Sequence, residues 1–81
     1  MIEISKNIRF EELGDEGVLV NIDNGEYYNI NVTSLAVLKL IKNKQTLEQI
    51  IELFNKKYPE QDNEKWINEL IVSLKEKKIL I

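Results

Sequence analysis

The sequence predicts an α+β domain in which a three-stranded antiparallel sheet is followed by three helices. Three observations predict it. Turn residues at Gly14-Asp15-Glu16-Gly17 and at Asp23-Asn24-Gly25 divide the first part of the chain into short β-rich runs. From Val32 onward, apolar residues recur at helical spacing. Asn31, Thr46 and Asp62 stand where helices would need N-caps. Strands first and helices after is an α+β pattern, and the element content is that of a winged-helix domain with its sheet at the front.

Taken in order, Ile8, Phe10 and Leu13 place a first strand at Ile8 to Leu13, with Met1 to Lys6 extended ahead of it. Gly17 to Ile22 reads as the second strand and Glu26 to Ile30 as the third. Between them, Asp23-Asn24-Gly25 is a hairpin loop of the glycine-bulge kind, with Gly25 taking the left-handed conformation. In the third strand Tyr28 and Ile30 point one way and Tyr27 and Asn29 the other. Ile30 leads into the helical core, so the Tyr28 and Ile30 face is the inward one. A first helix from Val32 to about Lys42 carries Leu35, Leu38 and Ile41 on one face, widened by Ala36, Val37 and Leu40, and is expected at the centre. Thr46 and Gln49 form a capping box that opens a second helix running to about Lys57, with Leu47, Ile50, Ile51 and Phe54 inward. Tyr58-Pro59-Glu60-Gln61 is the connector, since proline cannot continue the helix. Asp62 caps a third helix from about Asn63 to Lys77 with Ile67, Leu70, Ile71 and Leu74 as its core stripe and Trp66 just off it. Ile79-Leu80-Ile81 is an apolar tail expected to fold back onto the core.

At 81 residues the chain reads as a single domain, 1–81, near the size at which one core is only marginally sufficient. The longest apolar run, Leu35 to Leu38, is too short to span a membrane. Without Cys or His, the chain lacks thiolate chemistry, the commonest general base and the commonest metal ligand. No catalytic constellation, metal site or cofactor site is therefore expected. A net charge of −3 argues against a nucleic-acid partner, because phosphate contacts need clustered cations. Met1-Ile2-Glu3-Ile4 has no secretory pattern, and the expected address is cytoplasmic.

These exclusions leave surfaces to explain. If the second strand is the middle one, the third is an outer strand, and it carries neither Lys nor Pro to blunt its edge. Either the third helix or a partner covers that edge, or it accepts an extended peptide as a further strand.

Gly25-Glu26-Tyr27-Tyr28-Asn29-Ile30-Asn31, followed by Leu35 and Leu38, resembles the Gly-x-Tyr-Tyr-x-Leu-Asn and apolar-helix signature of the PqqD-like family. These are small recognition domains for ribosomally made, post-translationally modified peptides. The resemblance runs through Val18-Leu19-Val20, Thr46-Leu47-Glu48-Gln49-Ile50 and the Ile67, Leu70, Ile71, Leu74, Ile79, Leu80 series, from about Ile8 to Ile81. Within the family, Phe54 to Glu60 is most similar to the stand-alone leader-binding proteins of lasso-peptide pathways. The resemblance implies a non-catalytic domain that binds a precursor leader peptide beside the third strand, in a groove walled by the third helix. It also implies a separate maturation enzyme, a leader peptidase or alternatively a radical SAM enzyme. The implied peptide-binding residues are Glu26, Tyr27, Tyr28, Asn29 and Ile30 on the strand, and Trp66, Ile67, Leu70, Ser73 and Lys77 on the helix. The alternative from another class is a winged-helix DNA-binding protein. Two positions depart from the family pattern. Lys78 stands where a Gly is usual, which predicts a different helix end, and Trp66 stands where an acidic residue is usual.

Overall fold

The computed structural model describes residues 2–81. Strands β1 (Ile8–Leu13), β2 (Glu16–Asn21) and β3 (Tyr27–Asn31) precede helices α1 (Val32–Lys42), α2 (Leu47–Lys57) and α3 (Asn63–Glu76). The sheet is antiparallel in the order β1-β2-β3, so β2 is central and β3 is an edge. The expected fold class and element order hold.

Element ends shift by a residue for stated reasons. The hairpin between β2 and β3 closes by an Asn21 N–H to Glu26 carbonyl bond of 2.9 Å and a Gly25 N–H to Asn21 carbonyl bond of 2.8 Å. Ile22 thus joins the loop, which spans residues 22–25, one more than the sequence suggests. Gly25 has φ +74°, the left-handed conformation expected of it. Asn31 belongs both to β3 and to the helix start, where its side chain accepts from the Ser34 N–H at 2.8 Å.

Alternation gives the sheet one inward face. Leu19 pairs with Tyr28 and Gly17 with Ile30 across β2 and β3, while Phe10 pairs with Leu19 across β1 and β2. Leu19 is fully buried, and Phe10, Tyr28 and Ile30 pack against the core at half burial. The opposite face stays open, with Leu13 58% and Tyr27 72% exposed. Gly17 lets α1 approach the sheet: a Cβ there would lie 3.0 Å from Ile30 Cγ1 and 3.1 Å from Leu35 Cδ2. On α1, Leu35, Val37, Leu38 and Ile41 are buried, an arc of about 160° at 100° per residue. That breadth makes α1 the central helix. The tail folds back as expected. Ile4 bridges Leu80, with Ser5 donating to the Ile79 carbonyl at 2.8 Å and Ile81 to the Glu3 carbonyl at 2.9 Å.

Helix ends follow capping chemistry with one surprise. Thr46 and Gln49 form the capping box, and Asp62 accepts from the Lys65 N–H at 3.1 Å. The third helix ends at Glu76, with Lys77 as its cap. Lys78 then adopts φ +61°, its N–H bonds the Lys75 carbonyl at 3.0 Å and the Ile79 N–H bonds the Leu74 carbonyl at 2.9 Å. This is a Schellman closure with the apolar pair Leu74 and Ile79 buried beneath it. The helix therefore ends in the left-handed turn that a Gly would make, and the expectation of a different end is corrected. Lys44 does the same after α1, at φ +67°. A left-handed non-glycine residue costs about 1–2 kcal/mol, part of which a glycine forfeits in the unfolded chain. Lys78→Gly should stabilise the domain by about 0.5–1 kcal/mol, raising its thermal midpoint by about 2–8 °C. A lower midpoint would show that the Lys78 side chain contributes more than its backbone costs.

Candidate functional site

The register decides which main-chain groups of β3 are free. Antiparallel pairs alternate between hydrogen-bonded and non-bonded. Asn21 and Glu26 are a bonded pair by the hairpin contact, so Leu19–Tyr28 and Gly17–Ile30 are bonded as well. Tyr28 and Ile30 therefore direct their N–H and C=O groups into the sheet, and Tyr27, Asn29 and Asn31 direct theirs outward. The Asn31 carbonyl begins the α1 ladder as an N-cap does. About five main-chain groups are left along the edge, with no strand beside them among the described residues. β3 carries no Lys or Pro, whereas β1 on the other side carries Arg9, Glu11 and Glu12.

Next to this edge lies a half-buried apolar shelf. Tyr28 and Ile30 supply it from β3, and Trp66 and Leu70 also pack against the core from α3 at half burial. Ser73 is half-buried and Lys77 exposed on the same helical stripe, where the Lys77 ammonium donates to the Ser73 hydroxyl at 3.1 Å. Ile67 is corrected: it is fully buried, so its side chain supports the shelf from within the core and has no surface to offer a peptide.

The surroundings of Trp66 are set by a residue that sequence reasoning passed over. Asn63, the first residue of α3, is 1% exposed. Its amide donates to the Phe54 carbonyl at 3.2 Å, the Tyr58 carbonyl at 2.9 Å and Asn55 Oδ1 at 3.0 Å. Its own Oδ1 accepts from the Trp66 indole at 2.9 Å. One amide thus ties the C-terminal end of α2 to the first turn of α3 and fixes the Trp66 ring, which stands edge-on to Phe54 with centroids 5.4 Å apart. Trp66 is anchored on α2 as well as on its own helix. The signal in the sequence was an Asn just inside a helix already capped by Asp62, three residues before a Trp.

At the other end of the shelf, Glu26 is held by its neighbours. Its Oε1 accepts from Asn24 Nδ2 at 2.7 Å, its Oε2 from the Tyr28 hydroxyl at 3.3 Å, and its N–H donates to Asn24 Oδ1 at 2.9 Å. Burial first, then the charge and hydrogen bond of Glu26, raise the Tyr28 phenol above its ordinary value. Among the described residues, no group of His, Cys, Asp and Glu could hold a metal, and no helix is long and apolar enough to cross a membrane. Two concavities, of about 620 Å³ beside Ile2, Ile41 and Leu47 and about 180 Å³ beside Leu40 and Leu53, contain no β3 residue. A strand-accepting edge is an open ladder and needs no enclosed cavity.

An open antiparallel edge of this kind is a template that an extended chain can join as a further strand. A family model described as coenzyme PQQ synthesis protein D (PqqD) matches residues 16–80. The chain belongs to the PqqD family. A solved structure titled "TbiB1 in Complex with the TbiA(beta) Leader Peptide" is similar to it, with a TM-score of 0.85 and 21% identity over 96% of this chain and 93% of that one. At that identity the likeness concerns the fold. No curated protein matches the sequence.

Proposed function

We propose that the chain binds the leader segment of a ribosomally made precursor peptide as a fourth strand on β3, without catalysing a reaction, and delivers it to a separate maturation enzyme. The observation that carries this reading is the open edge of β3, with Tyr27, Asn29 and Asn31 facing outward beside a half-buried apolar shelf. Membership of the PqqD family supports it, as does a TbiB1 fold neighbour captured with a leader peptide. Main-chain bonds at about 0.5–1.5 kcal/mol net each would give a few kcal/mol without sequence preference. Two apolar anchors at about 1.5–3 kcal/mol each would add a similar amount and supply the specificity. Against the cost of ordering a flexible leader, a dissociation constant in the micromolar range, about −8 kcal/mol, is expected.

The favoured recipient is the leader peptidase of a lasso-peptide pathway. The match to the PqqD family model favours, as a second reading, a peptide chaperone for a radical SAM enzyme. Duplex DNA is disfavoured, because the sheet segment, residues 8–31, holds six carboxylates against the single cation Arg9.

The test uses Trp66, the only Trp in the chain. Titrating a synthetic peptide of the cognate precursor's leader should shift Trp66 emission to shorter wavelength as the peptide covers the indole. Trp66→Ala should weaken binding by about 1–3 kcal/mol. Its packing on Phe54 and Asn63 means it also costs about 3 kcal/mol or more of stability, so affinity must be read well below its melting range. A leader that does not bind rejects the function, and a leader that binds with a silent Trp66 moves the groove off this flank of α3.

A further inference from the structure

We infer that the Glu26 side chain selects leaders carrying Lys or Arg at the position across from it, two residues from an apolar leader side chain facing Tyr28. The inference deepens the strand-addition reading and rests on it. Glu26 shares the parity of Tyr28 and Ile30, and its bond to the Tyr28 hydroxyl puts its carboxylate on the same face of the strand as the apolar shelf. A peptide added to β3 presents every second side chain to that face. Its residues opposite Glu26, Tyr28 and Ile30 therefore meet a carboxylate, a phenol and an aliphatic side chain in turn.

Two properties make the carboxylate a selector. It is pre-positioned: Asn24 and Tyr28 each hold one oxygen, the Asn24 side chain also holds the Glu26 N–H, and the Glu26 carbonyl accepts from Asn21. Little rotamer freedom remains to be lost when a cation docks. It also has no counter-ion among the described residues, whose ion pairs are Lys39 with Glu12 and Lys56 with Glu52. Lys77, the cation on the peptide-facing stripe of α3, is engaged with Ser73. An ionised carboxylate accepts about four hydrogen bonds, and its two protein donors leave positions for a cation. The wider field agrees, because Glu26 lies in the segment where six carboxylates face one Arg. That sign draws a basic leader towards the sheet and opposes an acidic one.

The experiment measures binding of the cognate synthetic leader, with each residue replaced in turn by Lys, Gln or Glu. Binding is read for the wild type, Glu26→Gln and Glu26→Lys. Glu26→Gln keeps an acceptor for Asn24 and can donate its amide N–H to the Tyr28 hydroxyl, so it should melt like the wild type. It should weaken the native leader by about fivefold at low salt, with the difference vanishing near about 1 M salt. At one leader position, changing the cation to Glu should weaken wild-type binding by about tenfold or more, and Glu26→Lys should restore it. Native leader binding that is equal for wild type and Glu26→Gln, with no position showing the swap, overturns the role of Glu26 and leaves strand addition standing. A native leader that fails to bind the wild type overturns both.

Discussion

Deleting Ile79, Leu80 and Ile81 is expected to leave the domain largely unfolded at room temperature. Ile79 is completely buried and Leu80 is 2% exposed, although both lie beyond the last helix. Burial of two such side chains contributes about 3–6 kcal/mol. The deletion also removes the bridge to Glu3, Ile4 and Ser5, and the Ile79 N–H that closes α3 on the Leu74 carbonyl. A small domain has about 5–15 kcal/mol in total, and one of this size sits towards the lower end. Ile81→Ala alone should shift stability by no more than about 0.5 kcal/mol, since that side chain is 64% exposed. A circular-dichroism melt separates the two variants. A cooperative transition within a few degrees of wild type for the deletion would show that the clasp between the termini is dispensable.

Asn29→Pro should abolish leader capture while leaving the fold nearly intact. Asn29 lies opposite Val18 in a non-bonded pair, so its N–H points out of the sheet at the centre of the open edge. Proline removes that donor and puts its ring where the incoming strand would pair, yet edge strands tolerate proline when the lost N–H faces solvent. Leader affinity should fall by more than about tenfold, the loss of at least one main-chain bond plus a steric block. Tyr28→Pro should instead disrupt the sheet, because the Tyr28 N–H is committed to β2. Glu48→Ala, in the first turn of α2, should change neither folding nor affinity. Unchanged affinity in a well-folded Asn29→Pro protein would remove the added-strand model.

The order and kind of every element were legible because local rules agreed with one another. Thr46 with Gln49, Asn31, Asp62 and Pro59 each fix a helix boundary through chemistry confined to a few residues. Lys44 and Lys78 were not legible as left-handed residues. Intrinsic preference opposes them, and only the buried Leu74 and Ile79 pair shows why the turn closes over Lys78. Asn63 was read as an ordinary helical position because its partners, Phe54, Asn55 and Tyr58, meet it only when α2 and α3 pack. Ile67 was placed both in the core stripe and in the groove, and packing leaves it only the first place. Strand alternation gave the two faces of β3 directly. The direction of the Asn29 N–H needed the pairing with β2, which the sequence does not state. Counter-ions are equally non-local, so the lack of one at Glu26 could be seen only with the fold in hand.

The central claim, that β3 takes a leader as a fourth strand, is tested most directly by residue-resolved amide hydrogen exchange with and without the synthetic leader. In the free domain the Tyr28 and Ile30 amides should already exchange slowly through their bonds to β2, while those of Tyr27, Asn29 and Asn31 exchange fast. Saturating leader should slow Tyr27, Asn29 and Asn31 and leave Tyr28 and Ile30 little changed, a period-two pattern along one strand. Protection confined to α3 or to the α1–α2 turn, with the outward β3 amides still exchanging fast, would contradict the account.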